Sequence, residues 1–162
     1  DFNLTKPIIM THFFSFVNSI RYKKLRLPDA RKEKDAKEKD HSSTRILIVE
    51  DNKGNQKLMS RMMEYIGYQY EVADNGQAAI DKLDNNHFDF VFMDCQMPVL
   101  DGVEATKIIR RSNKTYSSIP IVALTASVIE GDETICREAG MNDYIAKPVR
   151  VKAIKEAIEK YT

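Results

Sequence analysis

The chain has little that could build a disulfide scaffold, a zinc site or a membrane anchor. It holds two cysteines in 162 residues, Cys95 and Cys136. No metal-ligand spacing relates them, so they read as two reduced thiols, which suits a cytoplasmic setting. His12, His41 and His87 lie outside any motif. No apolar run approaches the ~20 residues that cross a bilayer, and residues 8–20 are interrupted by Thr11, His12, Ser15, Asn18 and Ser19. Neither a transmembrane helix nor a signal segment is therefore expected in the chain; an anchor elsewhere in a parent protein stays open. Residues 23–43 lack aromatic side chains, which removes the stacking platforms of single-strand nucleic-acid binding.

Charge is distributed unevenly. Residues 21–43 carry nine basic groups against five acidic ones, a surplus of four, whereas residues 44–162 carry 15 basic against 18 acidic. A mixed-sign run rich in Lys, Glu, Asp and Ala, without an apolar stripe, has the composition of a solvated tether. The basic character of the chain thus belongs to a linker over residues 21–43. No nucleic-acid partner is expected.

From residue 44 onward, short apolar runs alternate with helical periodicity five times, the pattern of βα units building a parallel sheet. Arg45 to Val49 is a near-continuous apolar run, as a strand buried on both faces requires. Leu58, Met62, Tyr65 and Ile66 then fall at helical spacing, with Gly67 as a stop. Tyr68 to Ala73 predicts a second strand near an edge, and Ala79, Ile80 and Leu83 share a helical face. Phe88 to Asp94 predicts the third strand, followed by a helix lined by Ala105, Ile108 and Ile109. Ile119 to Leu124 predicts the fourth strand, with Pro120 near its start, where proline is permitted. A weakly amphipathic helix closes at Ala139-Gly140, Tyr144 to Ala146 forms a short last strand, and Val151, Ile154, Ala157, Ile158 and Tyr161 line the last helix.

The polar residues at the carboxyl ends of these strands carry the chemistry. Glu50 and Asp51 follow the first strand, Asp94 ends the third, Thr125 follows the fourth and Lys147 the fifth. In a parallel sheet these ends face one crevice, so three carboxylates, a hydroxyl and an ammonium converge there. Three close carboxylates repel unless a cation intervenes. Hard oxygen donors without His or Cys favour Mg²⁺. Lys147 can hold a phosphate oxygen as a point charge and Thr125 can donate to another. The set points to phosphoryl transfer onto Asp94, an ionised carboxylate that needs no general base. Taken singly, Asp51 could serve a helix dipole, Thr125 a cap and Tyr144 simple packing. Cys95 reads as a small soft side chain in a tight loop.

The runs Glu50-Asp51-Asn52, Met93-Asp94-Cys95-Gln96-Met97-Pro98, Leu100-Asp101-Gly102, Thr125-Ala126 and Lys147-Pro148 together resemble the receiver domain of two-component response regulators, most closely receivers of hybrid sensor histidine kinases. The resemblance covers residues 44–162. It implies a flavodoxin-like α/β fold: a doubly wound, five-stranded parallel sheet of order 2-1-3-4-5 with helices on both faces. Asp94 would be the phosphoacceptor, receiving its phosphoryl group from phosphohistidine on a kinase dimerisation or phosphotransfer domain. Asp51, Asp94 and the backbone carbonyl of Gln96 would ligate Mg²⁺, with Glu50 acting largely through water. Thr125 and Tyr144 would form the switch pair and Lys147 the phosphate contact. Glu50 departs from the aspartate that many members have, and its longer arm leaves its contact with the ion's waters open.

Leu4-Thr5-Lys6-Pro7-Ile8 and the apolar stretch after it repeat the order of Lys147-Pro148 and the last helix. Residues 1–20 are accordingly read either as the tail, the last helix, of a preceding receiver-like domain, which would make the chain a fragment cut within that domain, or as an ordinary N-terminal helix. An apolar helix without its native partner leaves a homodimer open. Two other functions compete with the phosphoacceptor. One is an aspartyl-phosphate phosphohydrolase of the haloacid dehalogenase type, whose motif places a second Asp where this chain has Gln96. The other is a receiver-like docking module that never carries phosphate.

Overall fold

The computed structural model of the chain describes residues 43–126 and 132–162. The expectations for residues 1–20 and for a linker over 21–43, except its last residue, lie outside them. Among the described residues, five strands alternate with five helices: β1 (Arg45–Val49), α1 (Lys53–Ile66), β2 (Gln69–Ala73), α2 (Gly76–Asn85), β3 (Phe90–Asp94), α3 (Gly102–Arg111), β4 (Ile121–Thr125), α4 (Asp132–Ala139), β5 (Asp143–Ala146) and α5 (Val151–Tyr161). A short 3-10 turn, Thr115–Ser118, precedes β4. The strands form one sheet in the order β2-β1-β3-β4-β5, and each neighbouring pair is parallel. Fold class and strand order are those expected.

The continuous apolar runs are explained by helices on both faces of the sheet. Residues alternate across the pleat. Leu47, Val49, Val91, Met93, Ile121 and Ala123 therefore pack with Ala79 and Leu83 of α2, Ala105 and Ile109 of α3 and Cys136 of α4. On the other face, Ile46, Ile48, Phe90, Phe92, Val122 and Leu124 meet Met59, Met62 and Met63 of α1 and Ile154, Ala157 and Ile158 of α5. Each large side chain fully buried this way contributes about 1.5–3 kcal/mol of transfer free energy.

Two helices bury only part of the stripe that the spacing predicts. In α1, Gln56, Met59, Met62 and Met63 are buried, whereas Leu58 and Tyr65 are exposed. Two apolar stripes overlap on this helix, and the long, flexible Met side chains fill the sheet face while the Leu58–Tyr65 stripe faces solvent. In α3, Ala105, Thr106 and Ile109 are buried and Ile108 is exposed. The Thr106 hydroxyl is accommodated because it donates to the Gly102 carbonyl at 2.7 Å.

Three of the helices that begin at the carboxyl edge of the sheet, α1, α2 and α3, start on side-chain caps. Asn52 Oδ1 accepts from the amides of Gly54 and Asn55 at 2.8 and 3.2 Å. Asn75 Oδ1 accepts from Ala78 N at 2.9 Å, and Asp101 Oδ1 accepts from Glu104 N at 2.9 Å. Such caps satisfy helix amides that lack an intrahelical partner. They also fix where each β-to-α loop ends, and those loops build the crevice. Gly67 and Gly140 end α1 and α4 with φ of 92° and 95°, a conformation glycine reaches without a Cβ clash.

The tightest approach in these loops is at Gly102, where a Cβ would lie 2.0 Å from the Asp94 carbonyl oxygen and 2.8 Å from Met93 Cγ. Backbone against backbone cannot yield as a flexible side chain can. Gly102→Ala is expected to lower unfolding free energy by about 3 kcal/mol, the upper end of what overpacking costs, measured by urea denaturation.

Candidate functional site

The loops after β1, β3, β4 and β5 bring the expected residues together at the carboxyl edge, beside the point where the chain order reverses between β1 and β3. Glu50, Asp94 and Thr125 are 1%, 5% and 6% exposed, and Asp51 faces solvent at the mouth. One ligand atom from each of Glu50, Asp51 and Asp94 lies within 4.8 Å of the others. Lys147 Nζ bridges two of the three, donating to Asp94 Oδ2 at 2.6 Å and to Glu50 Oε2 at 2.7 Å. Its backbone is tied down by Lys147 N donating to the Thr125 carbonyl at 2.7 Å.

Burial pushes the Asp94 carboxyl above the ordinary carboxylate range. Lys147 and the Gln96 amide oppose that shift, and the nearby Glu50 charge adds to it. For Lys147, burial disfavours the ammonium, but the hydrogen bonds and charges of Asp94 and Glu50 outweigh it and its pKa is raised. The crevice thus holds a carboxylate that is costly to ionise beside a cation fixed in its charged form.

Glu50 is also held by Asn52, from the same run, and by Asn55 and Gln56, to which the sequence assigns no role. Asn55 Nδ2 donates to Glu50 Oε1 at 3.0 Å and the Asn52 amide donates to the same oxygen at 3.2 Å. Gln56 Nε2 donates to the Glu50 carbonyl and, at 2.7 Å, to Asp74 Oδ1. Gln56 thereby locks the β1–α1 loop to the β2–α2 loop. The signal in the sequence is its spacing: Gln56, Met59 and Met63 fall at i, i+3 and i+7, which puts an amide on the buried stripe, where it must find partners.

The Gln96 amide donates to Asp94 Oδ1 at 3.2 Å, and the exposed Gln96 begins the loop that leads to Val99. Val99 takes a left-handed φ of 71°, an uncommon conformation for a β-branched residue. Tyr144 is half-buried against the core on the α4 side. Its hydroxyl bonds to Glu133 of α4, which raises the phenol pKa. Cys95 Sγ and Cys136 Sγ lie 3.4 Å apart.

A separate cavity of about 510 Å³ opens at the amino edge of the sheet, lined by residues that include Asp84, His87, Asp89 and Tyr116. It is remote from the carboxylates. Its Asp84 is taken up by Lys114 and Tyr116 at 3.0 and 2.7 Å.

The family model of the response regulator receiver domain matches residues 46–159, and the chain belongs to that family. Hybrid signal transduction histidine kinase G of Dictyostelium discoideum is 40% identical over 119 residues, which are 72% of this chain and 4% of that protein. Sensor protein GacS of Pseudomonas syringae pv. syringae is 36% identical over 120 residues, 73% of this chain and 13% of that protein. The chain thus spans a small fraction of these curated relatives. Among solved structures, the receiver domain of a Pseudomonas aeruginosa sensor histidine kinase is 37% identical with a TM-score of 0.68, covering 73% of this chain and 96% of that one. That structure has a magnesium ion coordinated in its active site cleft. The receiver domain of a Saccharomyces cerevisiae response regulator, co-crystallised with a histidine phosphotransfer signalling protein, gives 34% identity and a TM-score of 0.68 over 76% of this chain and 91% of that one. Family membership removes the dehalogenase-type alternative.

The raised Asp94 pKa sets a direction for stability. A group whose folded pKa exceeds its unfolded one contributes stability that is complete below the ordinary carboxylate value of about 4 and is lost as pH rises through the raised value. Without divalent cations, Asp94→Asn is therefore expected to raise the urea midpoint at neutral pH, since Lys147 keeps Glu50 at 2.7 Å. The gain should vanish as pH falls toward 4; a gain that grows in acid would contradict the shift.

Proposed function

We propose that the chain is the phosphoacceptor module of a phosphorelay and that Asp94 takes the phosphoryl group from a phosphohistidine. The observation that carries this reading is Lys147 Nζ within 2.7 Å of both Glu50 and Asp94, with Asp51 as third carboxylate of the same cluster. The charge balance is that of a site built to receive a cation and a phosphate. The donor set fits Mg²⁺: hard carboxylate oxygens, one of them at an open mouth that leaves room for water and phosphate oxygens. Asp51, Asp94 and the Gln96 carbonyl would hold the ion, with Glu50 reaching it through water. When bound, the ion supplies neutralisation of charge on the transferring group.

An Asp94 carboxylate oxygen attacks phosphorus in line, the bond from phosphorus to the donor imidazole nitrogen breaks, and the electron pair leaves with the imidazole. The loose transition state asks the protein for positioning and electrostatics. Lys147 exchanges its Asp94 oxygen for a phosphoryl oxygen, and Thr125, at the end of β4, donates to another. Tyr144 is tethered to Glu133 before transfer. Rearrangement of Thr125 and Tyr144 would then report the new charge to α4, a local event biasing a two-state element.

The relatives support placing this module in a hybrid histidine kinase, facing a phosphotransfer domain in the cytoplasm. The competing reading, a docking module that never carries phosphate, makes the opposite prediction in one experiment. Acetyl phosphate with Mg²⁺ should add one labile phosphoryl group, about 80 Da, to the intact mass, and Asp94→Asn should abolish it. No adduct would favour the docking module, and an adduct that survives Asp94→Asn would overturn Asp94 as the acceptor. Asp51→Asn is expected to weaken Mg²⁺ binding by at least tenfold, about 1.4 kcal/mol, read by isothermal titration calorimetry.

A further inference from the structure

Cys95 directly follows Asp94, and Cys136 lies on α4. Although 41 residues apart in sequence, their sulfurs are 3.4 Å apart. Cys136 is buried and Cys95 partly exposed, and both belong to the apolar cluster under α2, α3 and α4. A disulfide holds its sulfurs about 2.0 Å apart, so closing the gap needs a displacement of about 1.4 Å. Closing it calls for rotation about the Cα–Cβ bonds and a small shift of the loop.

We propose that Cys95 and Cys136 are a reversible oxidation site, at which a hydroperoxide joins the loop after Asp94 to α4 through an intramolecular disulfide. Cys95, the accessible member, reacts first. Its thiolate attacks the peroxide, the O–O bond breaks, an alcohol leaves after taking up a proton, and Cys95 becomes a sulfenic acid. The Cys136 thiol gives up its proton and its sulfur attacks the Cys95 sulfur. The S–O bond then breaks and hydroxide leaves as water. Two electrons pass from the thiols to the peroxide, and a dithiol reductant reverses the change by exchange.

The bond would connect the two parts of the site that must move independently. Gln96, next to Cys95, donates its amide to Asp94 Oδ1, and the Cys95 carbonyl accepts from Gly102 N at 3.2 Å. Cys136 lies one turn beyond Glu133, the partner of Tyr144. Resting on the reading of Asp94 as phosphoacceptor, the disulfide slows phosphoryl uptake by holding the loop and α4 in one arrangement.

With two cysteines in the chain, an intramolecular disulfide has one possible pairing. The reduced protein is treated with tert-butyl hydroperoxide, denatured with iodoacetamide present and weighed intact. The expected result is a monomer lighter by about 2 Da, with no alkylation, that a dithiol restores to two alkylatable thiols. Two alkylated thiols, sulfinic acid or a disulfide-linked dimer would overturn the site. Oxidised protein should take up phosphate from acetyl phosphate several-fold more slowly than reduced protein. A dithiol should restore the rate, and in Cys136→Ala or Cys95→Ser the peroxide should leave it unchanged. Equal rates in the oxidised and reduced wild type would overturn the regulatory role while leaving the disulfide. Absence of an adduct in both forms would instead overturn the phosphoacceptor reading and the regulatory role built on it, and the mass measurement would still decide the disulfide.

Discussion

The repulsion among Glu50, Asp51 and Asp94, held in check by the Lys147 ammonium, is the constraint around which the rest of the molecule is arranged. Burying even one unpaired carboxylate is costly, and two of these are almost inaccessible to water. Lys147 meets both at hydrogen-bonding distance, but one ammonium against three carboxylates leaves the crevice net negative. On the proposed function, that imbalance is what would draw a cation and, through the cation, a phosphate. A fully compensated crevice would be more stable and would have no use for either.

Such a cluster requires a rigid frame, and the parallel sheet provides it. The carboxyl ends of β1, β3, β4 and β5 reach the same edge because both sheet faces are covered by apolar helices and every strand runs in one direction. The loops are then fixed from below. Asn52, Asn75 and Asp101 cap the helices that follow, Gln56 bolts the β1 loop to the β2 loop, and Gly102 lets the α3 start press against the Asp94 carbonyl. On the β4–β5–α4 side, Tyr144 bonds to Glu133 and the two sulfurs lie 3.4 Å apart.

Much of this was legible in the sequence. Continuous apolar runs ending on Glu50-Asp51 and Asp94 fit strands buried on both faces, and their alternation with helical periodicity points to a parallel sheet with one common edge. Helix faces were less legible. Met-rich α1 carries two overlapping apolar stripes, and spacing could not say that Met59 and Met63 would face the sheet while Leu58 and Tyr65 stayed outside. The role of Gln56 is not legible, because an amide within a helix looks like surface until the opposing loop is known.

The sequence by itself determined the βα alternation, the edge at which the acids, the hydroxyl and the lysine collect, and the family, because these depend on local periodicity and on residue types at strand ends. Only the tertiary structure decided which carboxylates Lys147 would reach, which side chains would brace Glu50, and that Cys95 and Cys136 would come within 3.4 Å of each other. Those are contacts between distant segments. Packing sets them to within an ångström, and no periodicity in a single segment encodes the distance.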